Sequence, residues 1–336
     1  MKNILRARSY DLVPVADTSG DFEDFAPYVA SVNNDGVVAF QATLGDGALG
    51  VFAGSGGPLT TVAASVIGGF RTIHSHPDIT SDGAACFYAS LEAGGHGVFL
   101  VRDGHVVTVA ETHGPLGPTI NESGTVAFRV NAHSRASSIV KGDGDSATTV
   151  ATTGSVFSGF HGLPVINSRG AVAFRADLEE GGQGIYVGDG ESVTTVASTG
   201  ELFGSLGLFP SMNNAGAVAF CATLPAGGSG VFVASGGTIE SVVETSGPFE
   251  SFRGALLDDH GRLVFYATPK RGELGVFSGA DPHTDCLLSI DSSLLGSTVV
   301  DFALNPVSIN DVGQLAIRVT LADGRQFVLR ADPVGP

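Results

Sequence analysis

Three of the fourteen arginines in this chain stand directly behind apolar runs, in Val126-Ala127-Phe128-Arg129, Val172-Ala173-Phe174-Arg175 and Leu315-Ala316-Ile317-Arg318. The same place in related stretches holds Gln41, Tyr88, Cys221 and Tyr266. A guanidinium among apolar neighbours is costly to bury unless an anion or a set of acceptors pairs it. Arg129, Arg175 and Arg318 are therefore expected to stabilise negative charge on a ligand, with Tyr88 and Tyr266 as donors or acids and Gln41 as a contact. The plainer reading is that these groups brace neighbouring units by bonding loop carbonyls.

Histidines form a second constellation. His74 and His76, in His-Ser-His-Pro-Asp (74–78), are two residues apart and on one face if the segment is a strand. His161 occupies the place of His74 two units later. His74 and His161 are expected as general bases or acids. A His-x-His pair with a third His elsewhere is a weak zinc signal, and no metal or other cofactor is expected. Arg71 and Arg253 sit in matching Phe-Arg steps and would add positive potential, with His76, Phe209 and Tyr28 completing the substrate wall. Lys270 and Arg271 read as an exposed basic tip.

Other motifs fail. Residues 141–148, KGDGDSAT, begin like a calcium loop but lack the Glu twelve residues on. No phosphate-binding loop, nucleophile elbow, paired Cys-x-x-Cys or His-Glu-x-x-His occurs. The charge of −17 argues against a nucleic-acid partner. No apolar stretch is long enough to span a membrane, and Arg6, Arg8 and Asp11 interrupt any leader-like run near the start, so a cytoplasmic protein is expected. Cys86, Cys221 and Cys286 cannot all pair and read as buried thiols.

The elements that position these groups follow from an internal repeat. NNDGVVAFQATL (33–44) recurs as TSDGAACFYASL (80–91), NESGTVAFRVNA (121–132), NSRGAVAFRADL (167–178), NNAGAVAFCATL (213–224), DDHGRLVFYATP (258–269) and NDVGQLAIRVTL (310–321). Their glycines are spaced 47, 41, 46, 46, 45 and 52 residues apart. Each copy reads as four strands, A to D. An Asn-x-x-Gly turn joins A to B, a Gly-rich loop leads to the Gly-Val-Phe strand C, and a hairpin leads to the Thr-Val-Ala strand D. Strand B is apolar at nearly every position, as in a sheet stacked between two others.

Four-stranded units of 40–50 residues are propeller blades. The seventh copy lacks strand D, and SYDLVPVADTSG (9–20) matches that strand in other copies. The expectation is an all-β, seven-bladed β-propeller of four-stranded blades in one domain, 1–336. Strand 9–20 completes the blade formed by 301–332. A β-solenoid or an array of small domains leaves the split copy unexplained. The D-to-A and B-to-C connections then share one face, where the D-to-A segments look irregular. A site is expected at that mouth of the channel.

The repeat N-x-x-G-x-V-A-F-x-A-x-L, then G-V-F, then T-V-A, resembles that of a family of bacterial, often cyanobacterial, seven-bladed propellers. It is similar to the propeller domain of cyanobacterial cyclophane-forming alkylating enzymes. The resemblance covers essentially the whole chain and implies a fold able to host small-molecule chemistry. This chain has no G-G-x-G-x-D calcium repeat, and no catalytic residue is carried over. The expected function is a small-molecule tailoring enzyme of bacterial secondary metabolism. It would carry out cofactor-free cyclisation, alkylation or elimination on an anionic ligand, as a monomer or weak dimer. The alternative is a non-catalytic propeller module that binds a ligand or a protein.

Overall fold

The computed structural model describes residues 9–65, 69–112, 117–131 and 136–334. The leader-like residues Arg6 and Arg8, and most of the D-to-A segment of the third copy, lie outside the described residues. Seven antiparallel sheets follow one another along the chain as blades 1 to 7. In blade 4, Phe157–Ile166, Val172–Leu178, Gln183–Gly188 and Val193–Ser198 are strands A to D in that spatial order. The last sheet is the one shared by the two chain ends. Ser9–Asp17 pairs antiparallel with Gln326–Val334 and forms the outer strand of blade 7. Among the described residues no helix is long and apolar enough to cross a membrane.

The Asn-x-x-Gly turns explain how flat sheets become a ring. All seven turn glycines have φ between +73° and +85°, a region that a Cβ disfavours. The Asn does more than shape the turn. Asn33 Oδ1 accepts from the backbone N–H of Asp35 and Val37, while its Nδ2 donates to the carbonyl of Thr80 in the next blade at 2.9 Å. Asn121, Asn167, Asn213 and Asn310 repeat the cross-blade bond, to Asn167, Asn213, Asp258 and Asn33. Two residues earlier, Asp78, Thr119 and Ser211 accept from the N–H groups of Ile120, Ile166 and Leu257 in the following blades. These bonds satisfy the inner edge of strand A, which has no strand partner toward the axis.

Strand B is buried on both faces, as its composition predicts: Val38, Ala39 and Phe40 are each at most 1% exposed. The D-to-A segments, however, are not the irregular loops that the sequence suggested. They carry a second repeat, aromatic or aliphatic at the first and fourth places: Phe22/Phe25, Phe70/Ile73, Phe157/Phe160, Phe203/Leu206, Phe249/Phe252 and Val299/Phe302. The first member meets the aromatic of strand C edge-on. Ring centroids lie 4.9 Å apart for Phe22–Phe52, Phe157–Tyr186 and Phe203–Phe232, and 5.0 Å for Phe249–Phe277. These segments are the outer ends of strand A and part of the core. After the fourth place strand A bulges, with register shifts between His161 and Val165 in blade 4 and between Phe252 and Gly254 in blade 6.

Candidate functional site

The channel holds a cavity of about 150 Å³. It lies behind the Asn-x-x-Gly turns, not at the connector face where the sequence placed a pocket. Each blade contributes to its apolar collar, through Val32, Ile79, Ile120, Ile166, Met212, Leu257 and Ile309, with Val165 and Val307 added by blades 4 and 7. Polar side chains two residues further on close over the mouth. Asn34 Nδ2 donates to Asp311 Oδ2 at 2.8 Å and to Glu122 Oε1 at 3.2 Å. Asn214 Nδ2 donates to Asp259 Oδ2 at 2.8 Å and to Asp311 Oδ2 at 3.1 Å. Burial and the Asp259 carboxylate push the Asp311 carboxyl above its usual range. Asp78, in the wall, is pushed up to about 7 by burial. None of the residues singled out as catalytic in the sequence lines this cavity. Strand A bulges between the connector mouth and the cavity, and its turn-side half beyond the bulge supplies the lining.

At the connector mouth the strand-B ring position behaves in two ways. Gln41 Nε2 donates to the Ile73 carbonyl of blade 2 at 3.2 Å, Tyr88 Oη to the Arg129 carbonyl of blade 3 at 2.8 Å, and Arg129 Nη1 to the Phe160 carbonyl of blade 4 at 2.7 Å. These three brace adjacent blades. Arg175 and Arg318 pair instead with carboxylates of their own blades, Asp177 at 3.1 Å and Asp301 at 2.9 Å. The Nε atoms of Arg129, Arg175 and Arg318 are buried without a partner. Burial raises the Tyr88 phenol well above its ordinary range and pushes Tyr266 up to about 12. Both phenols therefore keep their protons at neutral pH.

Backbone pairing brings part of the set together. His161 stands directly across from Arg175. Its Nε2 lies 2.8 Å from Asp177 Oδ2, whose other oxygen holds Arg175. Arg129 reaches the carbonyl of the residue before His161. The neighbouring blade continues the cluster: the His74 N–H donates to the Tyr88 carbonyl, and His74 Nε2 lies 2.6 Å from Ser90 Oγ. Burial and the Arg71 charge hold the His74 imidazole below its usual pKa. His74, Tyr88, Arg129, His161, Arg175 and Asp177 thus form one chain of contacts over blades 2 to 4.

The remaining expectations part from this cluster. His74 and His76 do not share a face. The strand breaks after Ile73, leaving His74 exposed and His76 buried, with Nδ1 3.2 Å from the Pro77 carbonyl and the ring against Gly117. Burial lowers His76 to about 4. Among the described residues no group of three His, Cys, Asp or Glu side chains is placed to share a metal ion. Arg71 and Arg253 are not equivalent. Arg71 follows the first member of the Phe-x-x-Phe repeat and Arg253 the second. Arg253 sits in the bulge of blade 6, and Gly254, across from Tyr266, takes the place that His161 holds across from Arg175. Tyr266 and Arg318 belong to blades 6 and 7, and no hydrogen bond or ion pair among the described residues joins them to the cluster. Phe209 is half-buried against the core of blades 4 and 5, and Tyr28 is half-buried in blade 1. Ser90 and Asp177 were missed. Asp177 was legible from Arg175-Ala176-Asp177, because alternate strand residues share a face.

The structure is similar to three propellers of known structure. Against an oligogalacturonate lyase from Vibrio parahaemolyticus the TM-score is 0.57 at 12% identity, over 96% of this chain and 98% of that one. Against a prolyl endopeptidase it is 0.56 at 10% identity, over 92% of this chain, which spans only 51% of that longer protein. Against the Cps50 (Swd1) propeller domain of Myceliophteria thermophila it is 0.54 at 10% identity, over 92% and 98%. At such identities the likeness is one of fold. No curated protein matches the sequence. A family model described as a family of unknown function, DUF7453, matches residues 98–279, and over this majority of its length the chain belongs to that family.

Proposed function

We propose that the protein binds an anionic small molecule at the connector mouth over blades 2 to 4 and transforms it by cofactor-free acid–base chemistry. The observation that carries the reading is the joint hold of Asp177 on His161 and Arg175. A carboxylate on one imidazole nitrogen fixes the ring and leaves Nδ1 to take a proton from a ligand. Arg129 lies beside it, with its guanidinium anchored at the Phe160 carbonyl, where it neutralises a carboxylate or phosphate of that ligand. The Arg129 cation on the ligand carboxylate acidifies the C–H beside it. Nδ1 of His161 takes that proton, the C–H electron pair forms the double bond, and the β-substituent leaves as an anion with the electron pair of its broken bond. Elimination is therefore the reaction class best served. Cyclisation uses the same groups. The resemblance of the repeat supports a tailoring step in bacterial secondary metabolism. Binding without turnover is the second reading, favoured by the engagement of Arg175 and Arg318 on protein carboxylates.

Calorimetry with glutarate and inorganic phosphate, and mass spectrometry of a bacterial metabolite extract incubated with the protein, test both. Arg129→Met is expected to weaken anion binding about 10-fold or more, in line with loss of a charge-assisted bond of about 1.5–3 kcal/mol. His161→Asn is expected to keep binding within a few-fold and to abolish consumption of the extract component. Unchanged binding in Arg129→Met, Arg175→Met and Arg318→Met, each folded normally, overturns the proposal. Binding by wild type with no component consumed leaves the non-catalytic reading in its place.

A further inference from the structure

The turn face carries a second cavity, of about 340 Å³, in the cleft between blades 3 and 4. On blade 3 its wall is the Asn-x-x-Gly turn together with the hairpin that joins strand C, Ser137–Gly142, to strand D, Ala147–Thr152. On blade 4 its wall is the turn of residues 168–170. The cleft shares Asn121 and Ser168 with the channel cavity and extends outward from it, because the hairpin joins the two outer strands of blade 3. Every lining residue is polar or glycine, so no aromatic or aliphatic wall is offered.

Two cations converge on this cleft. Lys141 Nζ donates to the Gly170 carbonyl of blade 4 at 2.7 Å, which fixes the ammonium at the cleft and leaves two of its N–H groups. Arg169 lines the facing wall. Neither cation makes an ion pair among the described residues, and the Arg169 guanidinium and the Thr148 hydroxyl make no hydrogen bond among them. One carboxylate, Asp143, lines the cleft, but its Oδ1 accepts from the N–H groups of Asp145 and Ser146 in its own hairpin. The cleft thus keeps one positive charge in excess, on a chain whose net charge is −17.

The junction of blades 7 and 1 shows the same bracket neutralised. Arg330 holds in blade 7 the register place of Lys141, the two lying across from Ala316 and Ala127. It donates to the Gly36 carbonyl of blade 1 at 2.8 Å, as Lys141 does to that of Gly170. There Asp332 pairs with the guanidinium at 2.7 and 2.8 Å, and Asp35 stands at the turn place that Arg169 takes in blade 4. Bracing two blades therefore does not call for unpaired charge. Between blades 3 and 4 the ion pair is missing and the turn brings a second cation.

We infer that the cleft between blades 3 and 4 binds a phosphate monoester of a small polyol. The phosphate oxygens take the Lys141 ammonium and the Arg169 guanidinium. The remaining space, lined by the hydroxyls of Ser123, Thr125 and Thr148, takes the hydroxyls of the polyol. This site lies on the turn face and does not depend on the anion site at the connector mouth.

Calorimetry at low ionic strength with glycerol 3-phosphate, inorganic phosphate and glycerol tests it. Glycerol 3-phosphate is expected to bind about threefold or more tighter than inorganic phosphate, in keeping with one or two added hydrogen bonds, and glycerol alone is expected not to bind. Arg169→Asp, at an exposed site, installs the residue that blade 1 carries there and is expected to weaken glycerol 3-phosphate binding about 10-fold or more. Lys141→Met is expected to do the same. Arg129→Met, on the other face, is expected to leave this binding event in place. Undiminished binding in a folded Arg169→Asp variant overturns the inference. So does binding lost in Arg129→Met alone, which assigns the phosphate to the connector mouth. Inorganic phosphate bound as tightly as glycerol 3-phosphate overturns the polyol. No binding of either phosphate by the wild type overturns the cleft site, and the connector-mouth proposal then stands or falls on glutarate.

Discussion

Asn213 works in two directions at once. Its Oδ1 accepts from Ala217 N–H and shapes its own turn, while its Nδ2 donates to the Asp258 carbonyl of the next blade. The residue is 6% exposed, so truncation leaves buried groups unpaired. Asn213→Ala is expected to cost about 2 kcal/mol in urea unfolding. Asn213→Asp keeps the turn but loses the cross-blade donor, and should fall between the two. Wild-type stability in Asn213→Ala would remove the blade lock. A second residue-scale prediction concerns His76 and Asp78, both buried in blade 2. The folded Asp78 carboxyl, at about 7, takes a proton more readily than the unfolded one, so its contribution is fully present at low pH and is lost as pH rises from about 4 to 7. His76 is held down to about 4, so folding is penalised as pH falls from about 6.5 to 4. Over that shared window the two slopes oppose. Asp78→Asn is expected to expose the His76 slope alone, with the melting temperature falling more steeply than in wild type on acidification from pH 6.5 to 4. Parallel pH profiles for the two proteins would contradict the assignment.

At the scale of elements, the D-to-A segments matter most, because the sequence hid them. Phe203 is 3% exposed and packs edge-on against Phe220 and Phe232. Phe203→Ala is expected to cost about 3–5 kcal/mol by cavity formation, as a core residue and unlike a loop residue. A change below 1 kcal/mol, measured by equilibrium denaturation, would return the segment to the status of a connector. Strands B and C were legible because V-A-F and G-V-F stand at fixed distances from the turn glycine. The Phe-x-x-Phe repeat was not, because the bulge after it varies. Ile79 lies six residues past Ile73, whereas Ile166 lies six past Phe160 with strand A unbroken and Leu257 five past Phe252. Counting from the Asn therefore scrambles the upstream register, and Arg71 and Arg253 looked alike only because each follows a Phe. The site was legible in its cations and histidines, which sequence periodicity aligns. Of its carboxylates, Asp177 was legible two residues past Arg175 on strand B, whereas Asp301 was not, because it reaches Arg318 from strand A.

For the whole molecule, closure is carried by one strand without a covalent bond. Ser9–Asp17 covers the outer edge of Gln326–Val334, and Gln326 ties this blade to the next. Its N–H donates to Thr18 Oγ1, and its Oε1 accepts from Phe25 N–H at the start of blade 1. Val15 and Ala16 of the closing strand are 6% and 8% exposed and pack with Phe25, Phe40 and Val328 into a cluster shared by blades 7 and 1. Removing residues 1–17 strips that cluster and uncovers a nine-residue strand edge able to pair with another chain. The truncated protein is expected to associate at micromolar concentration in analytical ultracentrifugation and to lose part of its cooperative thermal transition. A peptide of residues 9–20 supplied in trans is expected to restore both, because it carries the missing donors and the two buried side chains. A truncated protein that stays monomeric with an unchanged transition would show that the remaining bonds between blades 7 and 1, among them Asn310–Asn33, Ser308–Ala30, Asn34–Asp311 and Arg330–Gly36, suffice to close the ring.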